Sequence, residues 1–192
     1  MLSREQKLLI IGVIIIAFLI GMIVPYNTMV TLKNNVLKQE AQIENVLQAR
    51  LEKIPDLVTT VKSYVEHEEK VFTAVAEARS GLQKAIDEGD IEKMSSANEA
   101  LSTALGNLNV VVEAYPELKA SELYIGLMDE ISGAVNRISQ ERRLYNETVS
   151  EYNDRIETFP FVMYAKILGF EPFPYFKADK NAHESSVVDF GD

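Results

Sequence analysis

No cysteine occurs among the 192 residues, which excludes disulfides, thiolate metal sites, a cysteine nucleophile and a lipid-modified cysteine. Tryptophan is absent, and histidine appears only at His67 and His183. Nine Gly and six Pro are few for this length, a profile that favours long helices over sheets. Basic charge is scarce as well, with 19 Lys+Arg against 29 Asp+Glu and a net charge of −10. Neutralising phosphates needs clustered Lys and Arg, so nucleic acid is excluded as a general partner. Apolar residues are plentiful at 47%, too many for an intrinsically disordered chain.

Catalytic patterns are missing too. His67-Glu68 opens like the zinc motif H-E-x-x-H, but Glu69, Lys70 and Val71 follow, so no second His arrives one helical turn later. A di-iron bundle needs two Glu-x-x-His pairs on facing helices. Ser63, Ser95 and Ser132 lie inside helical runs with no His nearby in the pattern, and neither G-x-S-x-G nor a glycine-rich phosphate loop is present. This inventory predicts a non-enzymatic chain with no catalytic, cofactor-binding or metal residue and no cofactor.

One long hydrophobic run is present. Leu8 to Val24 reads LLIIGVIIIAFLIGMIV, seventeen positions without a charge. As a helix it covers about 25 Å, enough to cross a thin hydrocarbon core. The run meets Pro25-Tyr26 with no small-residue cleavage site, so a retained anchor is expected in preference to a signal peptide. Residues 1–25 thus read as an N-terminal tail and transmembrane helix in contact with the lipid bilayer. Arg4 and Lys7 favour a cytoplasmic N-terminus and an extracytoplasmic domain, with Lys33 and Lys38 opposing them.

Beyond Pro25 the apolar spacing alternates threes and fours. Leu32, Val36, Ile43, Leu47, Leu51 and Ile54 form one stripe, which Pro55 is expected to interrupt. Leu57, Val61, Tyr64, Val65, Val71, Phe72, Val75, Leu82 and Ile86 form a second, ending at Glu88-Gly89. Asp90 can cap a third run carrying Ile91, Met94, Leu101, Leu105, Leu108 and Val112, with Pro116 as its stop. Ser121 can cap a fourth with Leu127, Ile131, Val135, Ile138, Tyr145, Val149, Tyr152 and Ile156, ending at Phe159-Pro160. Such stripes put one face of each helix inward, and neighbours joined by short loops bury them together. The expected fold is all-α: a single N-terminal transmembrane helix, then an up-down antiparallel four-helix bundle of long helices over residues 26–160.

That order would place the Glu88-Gly89 loop and everything after Pro160 at the membrane-proximal end. Arg50, Glu68, Arg79, Arg137 and Arg142 fall on or beside the stripes, where charge needs a partner or an edge position. Axial position suggests the pairs Glu68–Arg137 and Glu77–Arg142. Tyr145 and Tyr152 occupy inward slots, and their hydroxyls require acceptors. Residues 161–192 form an aromatic C-terminal segment followed by an acidic tail. FVMYAKILGFEPFPYF (161–176) suits docking on the bundle flank, the lipid interface or a neighbouring subunit. DKNAHESSVVDFGD (179–192) reads as disordered.

YNTMVTLKNNV (26–36), IPDLVTTVKSYVEHEEKVFTAVAEAR (54–79), EAYPELKA (113–120) and NRISQERRLYNETVSEYNDRIETFP (136–160) resemble, in the same order, the signature blocks of the LemA family. The resemblance implies a helical bundle held in a prokaryotic cell membrane by one N-terminal helix, with no established enzymatic activity. For some members it implies membrane shaping or scaffolding. AQIENVLQARLEK (41–53) departs from the family, keeping only Arg50 where a doubled Arg is common. The expected function is a single-pass, membrane-anchored scaffold or interaction protein that assembles as a homo-oligomer and organises the membrane. The alternative is an adaptor or regulator of an envelope-stress or membrane-protease system, with a membrane-protein partner.

Overall fold

The computed structural model describes residues 4–65 and 67–177, excepting the side chains of Lys7, Leu8 and residues 14–20. The elements are α1 (Arg4–Lys62), α2 (Glu69–Asp87), α3 (Ile91–Val112), α4 (Pro116–Lys119), α5 (Glu122–Glu157) and α6 (Phe161–Leu168). Among the described residues there is no strand. The all-α expectation therefore holds. The chain divides into two compact units, one of Met1–Gln39 with Glu147–Phe173, the other of Glu40–Asn146 with Pro174–Asp192.

The larger unit draws its core from the predicted stripes. Ile43, Leu47, Leu51, Ile54, Leu57 and Val61 of α1 are buried, as are Phe72, Val75 and Leu82 of α2. Met94, Leu101 and Leu108 of α3 and Leu127, Ile131 and Ile138 of α5 join them. Each such side chain contributes about 1.5–3 kcal/mol on burial. Tyr64 and Val135, assigned to the same stripes, are exposed instead.

Three boundaries differ from expectation. Pro55 does not interrupt the first helix, because α1 runs through it to Lys62. A helical proline removes one N–H and crowds the carbonyl four residues earlier, here that of Leu51. Arg79 of α2 supplies a substitute donor, its Nε lying 3.4 Å from Leu51 O. The break falls after Lys62 instead. There Thr60 Oγ1 donates to Asp56 O at 2.8 Å and Ser63 Oγ to Thr60 O at 2.7 Å. The same bond from Thr28 to Val24 O and from Thr31 to Asn27 O lies within the unbroken part of α1, so these hydroxyls accompany the break without accounting for it. At the third boundary, α3 ends at Val112 and Pro116 opens α4 at its first turn, a position where proline's missing N–H costs nothing.

The α2–α3 turn follows expectation. Gly89 takes φ +62°, a left-handed conformation that closes a helix without a Cβ penalty. Asp90 caps α3 by accepting from Lys93 N at 3.0 Å. Lys93 Nζ meets Glu88 Oε2 at 2.7 Å and Asp90 Oδ2 at 3.2 Å.

The smaller unit holds α1 up to Gln39, the end of α5, α6 and the residues up to Phe173. Met29, Val36, Val149, Tyr152, Ile156 and Ala165 are buried in it. The Phe159–Pro160 peptide is cis, and Gly169 closes α6 at φ +72°. The α1 backbone is helical throughout Leu8–Val24 and Pro25. In the expected span, the side chains of Leu8 and residues 14–20 lie outside the described residues. Among the described residues no helix is long and apolar enough to cross a membrane. The acidic tail at 179–192 lies outside the described residues as well.

Candidate functional site

The two buried tyrosines of α5 find their acceptors in the C-terminal segment. In the larger unit Tyr145 Oη donates to Pro174 O at 2.9 Å. Its neighbour Asn146 grips one residue twice, donating Nδ2 to Phe176 O at 3.0 Å and accepting Phe176 N–H on Oδ1 at 2.9 Å. In the smaller unit the arrangement repeats. Tyr152 Oη donates to Glu171 O at 3.0 Å, while Asn153 donates to Phe173 O and accepts from Phe173 N, both at 2.9 Å. The Tyr152 and Phe173 rings meet edge to face, 5.2 Å between centroids.

An extended chain without a strand partner has peptide groups to satisfy. A carboxamide carries one donor and one acceptor side by side, so it completes a peptide unit as a neighbouring strand would. Pro172 and Pro174 have no N–H to satisfy. In the larger unit, Ser95 Oγ donates to Lys177 O at 3.2 Å and Lys177 Nζ pairs with Glu92 Oε1 at 2.8 Å. Burial, followed by the charge of Glu40, pushes the Tyr145 hydroxyl well above its ordinary value of 10.0. Burial and then Glu171 raise that of Tyr152. Both phenols therefore remain protonated donors at neutral pH.

Residues 171–177 bond to α5, so for this part of the aromatic segment docking on a helix is the one of the three open placements that these contacts favour. Asn146 and Asn153 as its clamps were not anticipated. A signal for them exists in the sequence, since Tyr-Asn recurs after seven residues and phenylalanine after three.

The charged stripe residues do not form the expected pairs. Glu68 stands at the N-cap position of α2, outside the helix, whereas Arg137 is exposed and lines a cleft with Lys53, Asp129 and Glu130. Glu77 is exposed on α2, while Arg142 is half-buried beside Ser95, Asn98 and Phe176. Neither Glu68–Arg137 nor Glu77–Arg142 is an ion pair; α1 continuing past Pro55 shifts the start of α2 and with it the register assumed for both. Lys53 and Glu130 pair instead, at 2.7 Å. Arg50, only 2% exposed, donates to Asn98 Oδ1 at 2.5 Å and Ser102 Oγ at 3.1 Å, tying α1 to α3. His67 is exposed, and His183 lies outside the described residues. No group of His, Asp and Glu that could hold a metal ion occurs among the described residues.

The LemA family model matches residues 39–190. Magnetosome protein MamQ 2 of Paramagnetospirillum magneticum is 26% identical over 207 aligned positions, which cover 95% of this chain and 76% of that protein. Magnetosome protein MamQ of Magnetospirillum gryphiswaldense is 25% identical over the same shares. Protein LemA of Metamycoplasma hominis is 27% identical, covering 76% of this chain and 68% of its own length. Most of the chain is thus matched by one family description, and it belongs to the LemA family.

Proposed function

We propose that this chain is a membrane-anchored, non-enzymatic scaffold that assembles with copies of itself and organises the membrane to which it is tied. In this reading Leu8–Val24 spans a prokaryotic cell membrane once, and α1, α2, α3 and α5 form an up-down antiparallel bundle outside the cytoplasm. One observation carries it: a single unbroken helix, α1, holds both the uncharged run and a fully packed stripe. Contacts inside the larger unit support the bundle, with Arg79 on Leu51, Arg50 on Asn98, Lys53 on Glu130 and Tyr124 Oη on Asn109 Oδ1. The relatives named as magnetosome proteins support a membrane-organising role.

Mild detergent extraction of the full chain, followed by sizing and crosslinking mass spectrometry, tests the proposal. Large homotypic particles are the expected result. A single stoichiometric foreign protein would replace the scaffold with an adaptor or regulator of an envelope-stress or membrane-protease system. Recovery of the chain from the soluble fraction without detergent would remove the anchor.

A further inference from the structure

The aromatic C-terminal segment has two differently placed parts. Residues 171–177 are held on α5 through their main chain, whereas α6 turns an apolar face outward. Phe159, Met163 and Ile167, spaced four apart, are 74%, 57% and 67% exposed. Met163 and Ile167, four apart within α6, share one side of that helix, and Phe159 lies in the turn just before it. Exposed apolar groups gathered in this way mark a contact surface. On the inner side Ala165 is buried, so α6 is seated on its unit by one face only.

Its location says what covers the other face. Phe170, just beyond α6, packs its ring edge to face against Tyr26, 6.2 Å between centroids. Tyr26 is the second residue after the run Leu8–Val24, and Ile23 and Val24 beside it are exposed. In a chain of net charge −10, the sequence of the smaller unit balances six Lys and Arg against six Asp and Glu, and Lys166 on α6 is flanked by Glu157 and Glu171. Net charge thus neither draws this unit to anionic headgroups nor repels it, whereas aromatic rings favour the interface.

We infer that α6 lies in the lipid–water interface beside the exit of α1, with Phe159, Met163 and Ile167 immersed and Lys166 at headgroup level. The inference rests on the proposed anchor, which α6 supplements as a second, in-plane contact. Such a contact resists tilting of α1 about a single point of attachment.

Because the chain has no tryptophan, single substitutions report cleanly. The full-length variants Phe159→Trp, Met163→Trp, Val13→Trp and Val110→Trp are placed in proteoliposomes of phosphatidylglycerol and phosphatidylcholine, with and without brominated acyl chains. Val110 is 72% exposed and belongs to the larger unit. Roughly twofold loss of emission is expected at positions 159, 163 and 13, with no loss at 110. Quenching at 13 with none at 159 and 163 overturns the inference and leaves the anchor standing. A blue shift at 159 and 163 without quenching overturns it in favour of a protein surface, such as a second copy. Quenching at 159 and 163 without quenching at 13 removes the anchor and overturns the placement of α6 beside the exit of α1 that rests on it. No quenching at any position removes both.

Discussion

Arg79 of α2 donates its Nε–H to the main-chain oxygen of Leu51 in α1 at 3.4 Å, and that oxygen is the one Pro55 deprives of a helical donor. A long side chain from one helix thereby mends the hydrogen-bond ladder of another. An interior proline costs about 3 kcal/mol relative to alanine, part of which this substitute donor offsets.

Replacing Arg79 with Met keeps the aliphatic stem and removes the donor. The expected loss of stability is about 1 kcal/mol in urea unfolding. In a Pro55→Ala background the helix regains its own donor, so the same replacement should cost clearly less. Equal costs in both backgrounds would show that Arg79 acts only through packing.

Asn146→Ala and Asn153→Ala each abolish a two-point grip on one peptide unit. Each should cost about 1–3 kcal/mol, because a peptide donor and acceptor lose their partners together. Amide hydrogen exchange localises the effect, with Phe176 N–H losing protection in the first variant and Phe173 N–H in the second. Unchanged exchange at those amides would refute the clamp.

Alkaline pH should loosen the same segment. Tyr145 and Tyr152 are held above the ordinary phenol value of 10.0 in the folded chain, so the unfolded chain releases these protons first. Their stabilisation is complete below pH 10 and declines as pH rises through the folded values. Tyr145→Phe and Tyr152→Phe should each flatten that decline, measured as the urea midpoint between pH 9 and 11. At neutral pH each should cost about 1 kcal/mol for the lost hydrogen bond.

Gly89→Ala tests the α2–α3 turn. No atom lies within 4 Å of the added Cβ, but the backbone stays at φ +62°. The expected loss is therefore conformational, about 1 kcal/mol. A larger loss would indicate a rearranged turn, readable from the Asp90 cap by amide exchange at Lys93.

The apolar stripes were legible because burial selects residues on the helical period, and Leu47, Leu101 and Ile131 lie where that period puts them. The breaks were harder to read. Pro55 is the strongest local helix breaker in its stretch, yet the helix runs through it with a partly compensating donor from a residue 24 positions away, and no local signal announces such a partner. The actual break, after Lys62, has neither glycine nor proline between residues 60 and 68 to announce it. Predicted ion pairs failed for the same reason, since an error in one boundary displaces every axial position after it. Tyr145 and Tyr152 were recognised as inward because they continue a stripe and carry hydroxyls. Asn146 and Asn153 sit one step off that stripe, so apolar periodicity alone could not single them out.

Prolines 172 and 174 flank a gripped residue without occupying its place. The asparagines read peptide units, so what each clamp demands at 173 and 176 is a free amide hydrogen more than any particular ring. Imino acids at those two sites would unfasten the strap, whereas at the alternate sites they stiffen it beforehand and lessen the disorder surrendered on docking. The alternation therefore dictates alignment: sliding the ribbon by one residue would bring a proline nitrogen against an asparagine oxygen that can only accept.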